Sequence, residues 1–210
     1  MSYQCFTVSF EQNVAHIQLS RPQKRNAMSP EFWDELPAII RDIDANVKAR
    51  AIVISSTGPH FTAGIDIGSF LNQGDEGTDK SHADHGVRFH QSARLMQETF
   101  SVLENCRMPV LAAIQGGCIG GGVDLTTACD MRYTTEDAFF SVHETNIAMT
   151  ADVGTFPRLV NLVPEGIARE MAFTGNPLPA AEALRYGLVN RVYPNQEMML
   201  TEVMKIAQQI

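Results

Sequence analysis

The sequence predicts an α/β fold. Three observations lead there. Short apolar runs, Ala51–Ser55 and Pro109–Ile114, have the length and composition of buried strands. Stretches with apolar residues at helical spacing alternate with them. Glycine-rich segments stand where a strand should give way to a helix.

Taken in order, Cys5–Phe10 and Val14–Leu19 flank Glu11-Gln12-Asn13 and predict a hairpin. A polar loop, RPQKRNAMSP, ends in Ser29-Pro30, an N-cap followed by proline at the first helical position. Phe32, Leu36, Ile39, Ile40 and Ile43 then form a helical stripe, which Pro37 should kink or divide. After the Ala51–Ser55 strand, Leu71–Gly86 is polar and without period, and reads as a mobile surface loop. A helix over Val87–Asn105 carries Phe89, Met96, Phe100 and Leu103, and Pro109–Ile114 follows as a strand. Gly117–Asp130 turns into a helix, and Met131–Tyr133 and Ala138–Val142 are further strands. From Thr155 the chain is mostly helical, with Glu165–Thr174, Pro179–Tyr186 and Met198–Ile210 as helices and Leu188–Tyr193 as a strand. No internal repeat is visible.

Composition narrows the function classes. The chain has 210 residues, enough for one domain or one with a small appendage, and is 44% apolar, unlike a disordered chain. Its net charge of −8 and lack of a basic run argue against a nucleic-acid partner. No apolar run reaches the roughly 18 residues of a membrane span. The start, MSYQCFTVSF, and the end, AQQI, carry no secretory or organelle address, and the expected compartment is the cytoplasm. Cys5, Cys106, Cys118 and Cys129 show no C-x-x-C spacing and read as reduced thiols.

The chemistry concentrates in the turns. QGGCIGGGVDLTTACD (115–130) fits neither dinucleotide nor P-loop spacing, and no Lys follows. Asp124 would repel a phosphate there, whereas a neutral carbonyl that becomes an oxyanion suits such backbone N–H groups. Close helix–sheet packing is the other reading of the same glycines. FTAGIDI (61–67), with Gly64, either supplies a second donor or is an ordinary βα turn. Asp124, Glu144 and Asp152 follow within one short region. Each of the two aspartates alone reads as a cap, and together the three acids suggest proton transfer. Asp152 has apolar or small neighbours, unlike a solvated acid. His82, His85 and His90 near Asp79 and Asp84 match no zinc spacing, so no metal is expected. His143 should face away from Glu144 on an extended segment and read as structural. Cys118 reads as a packed thiol, and Arg21, Lys24 and Arg25 as a solvated loop or a grip on a phosphorylated ligand.

RPQKRNAM, FTAGIDI, AAIQGGCIGGGVDLTTACDMRY and ALRYGLVNRVY together resemble the crotonase, or enoyl-CoA hydratase/isomerase, superfamily. The resemblance implies a spiral of repeated ββα units over residues 1–195, followed by a helical region of which 196–210 is the incomplete start. It implies an acyl-CoA thioester as substrate, with CoA part of that substrate and no separate cofactor, and a homotrimer or hexamer. It places the oxyanion donors at Ile65 and Gly121. Arg21, Lys24, Arg25, Ala63, Asp66 and Gly120 fall at substrate-binding positions. Within the superfamily, IGGGVDL and VHETNIAMTADVGT look like the Δ(3,5)-Δ(2,4)-dienoyl-CoA isomerases of fatty-acid β-oxidation. By that resemblance Glu144 handles C2 of the acyl chain and Asp152 handles C6, with Asp124 as polar support. An enoyl-CoA hydratase and a catalytically silent acyl-CoA-binding protein are the alternatives.

Overall fold

A computed structural model describes residues 3–72 and 82–210 of the chain. Strands β1 (Phe6–Glu11) and β2 (Val14–Leu19) form the expected hairpin, antiparallel from Phe6↔Leu19 to Glu11↔Val14. Its loop is two residues rather than three. Gln12 and Asn13 both take positive φ, 48° and 65°, the requirement of the tight turn that matches strand twist.

Helix α1 (Pro30–Ala45) buries Phe32, Leu36, Ile39, Ile40 and Ile43, the predicted stripe. Pro37 does not divide it. Proline cannot donate to the carbonyl four residues back, which here belongs to Trp33. The Thr99 hydroxyl lies 3.1 Å from that carbonyl and 3.1 Å from the carbonyl of Leu95, and shares its proton between them.

Strand β3 (Ala51–Ser56) precedes the short helix α2 (Ile67–Asn72), and α3 (His82–Asn105) is 24 residues long. The loop expected over Leu71–Gly86 is therefore corrected at both ends, while 73–81 lies outside the described residues. The region's polarity misled because much of the first half of α3 faces solvent: 86–92 are all exposed. Next come β4 (Val110–Ile114), β5 (Gly117–Ile119), α4 (Gly121–Thr127), β6 (Met131–Thr135) and β7 (Phe139–Ser141). A 3-10 turn (Glu144–Ile147), α5 (Thr155–Leu159), α6 (Glu165–Thr174), β8 (Leu178–Pro179), α7 (Ala180–Tyr186), β9 (Arg191–Tyr193) and α8 (Gln196–Gln208) complete the order.

Two sheets result. The larger has the order β1-β2-β3-β4-β6-β9, parallel from β2 onward; the smaller is β5-β7-β8. β4 leaves the large sheet through Gly116 and enters the small one as β5 before α4 begins, and β6 and β7 repeat the step. Thr62, bridged to Cys118, makes the same move after β3. This is the spiral of ββα units, with its glycine turns stacked side by side.

β3 and β4 are buried on both faces, and alternate residues sort to opposite sides. Ile52, Ile54, Val110, Ala112 and Ile114 join the main core with α1 and α3. Ala51, Val53, Leu111 and Ala113 face Met199, Val203 and Ala207, one stripe of α8. Asn195 caps α8, its side chain accepting the Met198 N–H at 2.9 Å.

Candidate active site

The site grows from two turns that the rest of the fold holds rigidly. Asn26, buried and at φ 52°, donates to the carbonyls of Thr57 and His60 at 2.8 and 3.1 Å and accepts the Arg21 N–H at 2.9 Å. Its own carbonyl accepts from the Thr62 hydroxyl at 2.7 Å, and that hydroxyl in turn accepts the Gly64 N–H at 3.1 Å. Ala63 N–H donates to Arg25, and Asp66 N–H to Met28. Among the described residues, every N–H from Ala63 to Asp66 is thus engaged except that of Ile65.

The second turn mirrors the first. Ile119 N–H donates to Thr62 and Gly120 N–H to Ser141. Gly121 opens α4, where the first N–H groups have no intrahelical partner, and its N–H donates to none of the described residues. Gly120 sits at φ 54°, ψ −120°, a conformation only glycine adopts readily. A Cβ there would come within 3.1 Å of Glu144 Oε1, so the bare backbone lets that carboxyl in.

One cavity of about 610 Å³ takes in both turns and all three acids. Ile65 and Gly121 lie on its wall with Ala63 and Gly120, and Trp33, Phe89, Met96 and Met149 make it predominantly apolar. Asp124, in the first turn of α4, is 1% exposed. Neither of its oxygens has a hydrogen bond of regular geometry. Burial pushes its carboxyl up to about 6, against the pull of the Thr155 hydroxyl and N–H and of the Arg158 guanidinium; the charge of Asp152 adds to the rise. Glu144 opens the 3-10 turn, half-buried, with Oε2 shielded and unpartnered. Burial and then the neighbouring charges of Asp124 and Asp152 carry it up to about 7. A carboxyl at that value serves as a base near neutrality. Asp152 is exposed, contrary to expectation, and lines this cavity and a second one beside it. Its carbonyl accepts from Gln97 Nε2 at 2.7 Å.

The remaining candidates divide. Lys24 and Arg25 are exposed, and Arg25 adjoins the first turn through its carbonyl. Arg21 is turned inward, donating to the Ala27 carbonyl at 3.3 Å. Asp66 lies outside the cavity, where Oδ1 accepts the Ser69 N–H at 3.3 Å and caps α2. His143 is not on an extended segment: it precedes the 3-10 turn in helical conformation and lines the cavity beside Glu144. Cys118 is buried, and desolvation pushes its thiol up to about 12, as for an unreactive packed cysteine. Asp79 lies outside the described residues. His82, His85 and Asp84 fall on α3, and among the described residues no cluster is arranged to hold a metal. No helix among them is long and apolar enough to cross a membrane.

The sequence reading missed Asn26 and Thr62, whose hydrogen bonds leave the Ile65 N–H free, and Gln97 and Arg158, which reach the acids from other elements. Asn26, one residue after Arg25 in a polar loop, offered only the residue type that tolerates positive φ.

Residues 9–210 match the family described as enoyl-CoA hydratase/isomerase. The chain is 44% identical over 213 residues to the human protein named Δ(3,5)-Δ(2,4)-dienoyl-CoA isomerase, mitochondrial; all of this chain and 64% of that relative align. It is 39% identical to the peroxisomal enzyme of that name from Arabidopsis thaliana, over 95% of this chain and 72% of the relative. The chain thus spans a little under two thirds of the human relative's length. Among solved structures, an enoyl-CoA hydratase from Geobacillus kaustophilus superposes with TM-score 0.87 at 29% identity, covering 100% of this chain and 75% of that one. One from Bacillus anthracis gives 0.86 at 28%, covering 98% and 76%. The mitochondrial and peroxisomal names overturn the cytoplasmic expectation. An organelle address is a short segment read by import receptors, separate from the residues that make the fold. With its spiral, its paired turns and a match over 9–210, the chain belongs to the enoyl-CoA hydratase/isomerase family.

Proposed function

We propose that the chain is a dienoyl-CoA isomerase, converting a 3,5-dienoyl-CoA to the 2,4-dienoyl-CoA. The observation that carries this reading is Asp152, an additional acid on the wall that also holds Glu144 and two free N–H donors. The names of relatives at 44% and 39% identity support it.

In this mechanism Glu144 removes a proton from C2. The C2–H electron pair delocalises through the chain onto the thioester oxygen, held by the N–H groups of Ile65 and Gly121. The two double bonds each shift one carbon as C6 takes a proton from Asp152, which is charged in the unliganded chain and takes a proton up from solvent when the acyl chain binds. Glu144 then releases its proton to solvent and Asp152 regains one, so composition and oxidation state are unchanged. The cycle calls for no oxidant, reductant or separate cofactor. The apolar wall accepts the conjugated acyl chain and keeps the Glu144 pKa high. Asp124, buried behind, maintains the local negative charge that makes Glu144 a stronger base. Lys24 and Arg25 meet the CoA phosphates outside the cavity, with Arg21 supporting their loop.

A hydratase would add water to a 2-enoyl-CoA between Asp124 and Glu144, where Glu144 feels the charge of Asp124. Ultraviolet absorbance separates the readings. Growth of 2,4-dienoyl absorbance from a 3,5-dienoyl-CoA is expected. Loss of 2-enoyl absorbance by hydration, without isomerisation, would replace the proposal with the hydratase. Binding with neither change would make the chain a silent acyl-CoA binder. Deuterium exchange at C2, followed by NMR, assigns the acids: Glu144→Gln loses exchange and isomerisation together, with proton transfer contributing roughly 10²–10⁴-fold. Asp152→Asn loses isomerisation but keeps exchange, because the enolate still forms and returns.

A further inference from the structure

The segment that carries Asp152 is a partition. Residues 150–153 line the reaction cavity of about 610 Å³ on one side and a second cavity of about 730 Å³ on the other. Of the four, only Ala151 is buried. Ala151 and Val153 pack against the main core, whereas Asp152 between them is exposed, so polar ties fix the position of its own backbone.

Those ties come from one stripe of α3. Gln97, Ser101 and Glu104 are spaced four and three residues apart, on one face of the helix. Gln97 Nε2 donates to the Asp152 carbonyl at 2.7 Å. Ser101 and Glu104 hold Arg158, whose Nη2 lies 3.3 Å from the Ser101 hydroxyl and 2.5 Å from Glu104 Oε2. Arg158 Nη1 reaches back to the Val153 carbonyl at 3.5 Å, and its guanidinium lies over Gly154, where a Cβ would collide with it. Gly154 has φ 123°, open to glycine alone. The bond to Asp152 leads straight to its backbone. The Arg158 route is longer, and is a brace on the following residues.

We propose that Gln97 is a positioning residue for the distal proton transfer: by holding the Asp152 backbone to α3, it sets the reach of that carboxyl to C6. The proposal rests on the isomerase reading above. Glu144 stands on a different element, the 3-10 turn after β7, and Gln97 is not part of the cavity lining around it. The two halves of the reaction therefore respond differently to Gln97. That division is what a general structural role would not produce.

The test measures isomerisation by absorbance and C2 deuterium exchange by NMR in the full chain, unaltered and with Gln97→Met or Gln97→Lys. Gln97 is exposed, so neither change threatens the fold. Met keeps the length and removes the donor; Lys keeps an N–H donor at similar reach. The expected result is isomerisation slowed about 10–100-fold in Gln97→Met, the scale of a displacement near 1 Å in a reacting group. C2 exchange stays unchanged, and Gln97→Lys recovers most of the rate. Normal isomerisation in Gln97→Met, equal loss of exchange and isomerisation, or a Lys variant as slow as the Met variant each overturns the proposal while leaving the isomerase reading intact. An unaltered chain that makes no 2,4-dienoyl product removes both.

Discussion

Gly64 rests directly on the backbone of Ile119: a Cβ on Gly64 would lie 2.7 Å from the Ile119 carbonyl oxygen and 3.4 Å from the Gly121 nitrogen. The two turns that carry the free N–H groups are therefore spaced by an absent side chain. Gly64 also has φ 82°, which costs a residue with a Cβ about 1–3 kcal/mol. Gly64→Ala is expected to lower the denaturation midpoint and to cut kcat by about 10²–10³, the loss typical of one oxyanion donor. Gly121→Val meets a softer neighbour, the Met28 sulfur at 2.8 Å from the added Cβ, and is expected to fold with a similar loss of kcat. Unchanged turnover in both folded variants would remove the turns from the mechanism.

The buried acids make the fold sensitive to pH in a stated direction. Asp124 is raised from 3.8 to about 6, so between those values the folded chain holds a proton that the unfolded chain has lost. Stability from this group is full below pH about 4 and falls as pH rises towards 6. The shift corresponds to about 2–3 kcal/mol at about 1.4 kcal/mol per unit. Asp124→Asn is expected to gain stability over the unaltered chain at pH 8 relative to pH 4. Urea melts at the two pH values measure it; a gain independent of pH counts against burial as the cause.

Glu144 governs the rate in the opposite sense. It acts as a base only when ionised, so kcat/KM for isomerisation should rise with pH and level off above about 7. Removing the charge of Asp124 lowers the Glu144 pKa, and the Asp124→Asn profile should bend at lower pH. An acidic limb that stays in place would show that the two carboxyls do not interact.

Pro37 and Thr99 form a compensated pair. Thr99→Val alone leaves the Trp33 carbonyl without its donor and is expected to cost about 0.5–1.5 kcal/mol. In a Pro37→Ala background the helix N–H returns to that carbonyl, and the same change should cost less. A double-mutant cycle reads the difference, and strict additivity would refute the pairing.

Much of this was legible in residue order. The alternation of Ile52 and Ile54 with Ala51 and Val53 marks a strand buried on both faces, and the acids stand in the region the glycines announce. The family resemblance named Ile65 and Gly121 as donors, but the residues themselves do not say which N–H stays free. Ala63, Gly64, Ile65 and Asp66 look alike in sequence. Ile65 is singled out because Arg25, Thr62 and Met28 engage its neighbours, and two of those three lie in another loop. Gln97, Ser101 and Glu104 read as an ordinary solvated face of a helix. Their task appears only when α5 and the 150–154 segment fold against them. The positive φ of Gln12 and the Thr99 donor that replaces the lost Trp33 hydrogen bond were likewise invisible until the partners were in place.

The packing of α8 has a consequence for how the chain is made. Its stripe of Met199, Val203 and Ala207 covers Val14, Ala51, Val53, Leu111 and Ala113, and Gln196 Nε2 reaches the Ser56 carbonyl at 2.8 Å across 140 residues of sequence. At ribosomal rates of roughly 5–20 residues per second, β3 waits roughly 7–30 s before the helix that shelters it has been synthesised. During that interval one side of a growing parallel sheet is apolar and open. An apolar sheet face left open for that long is prone to aggregation until α8 docks, and a charged substitution at Val203 would prolong that exposure after synthesis.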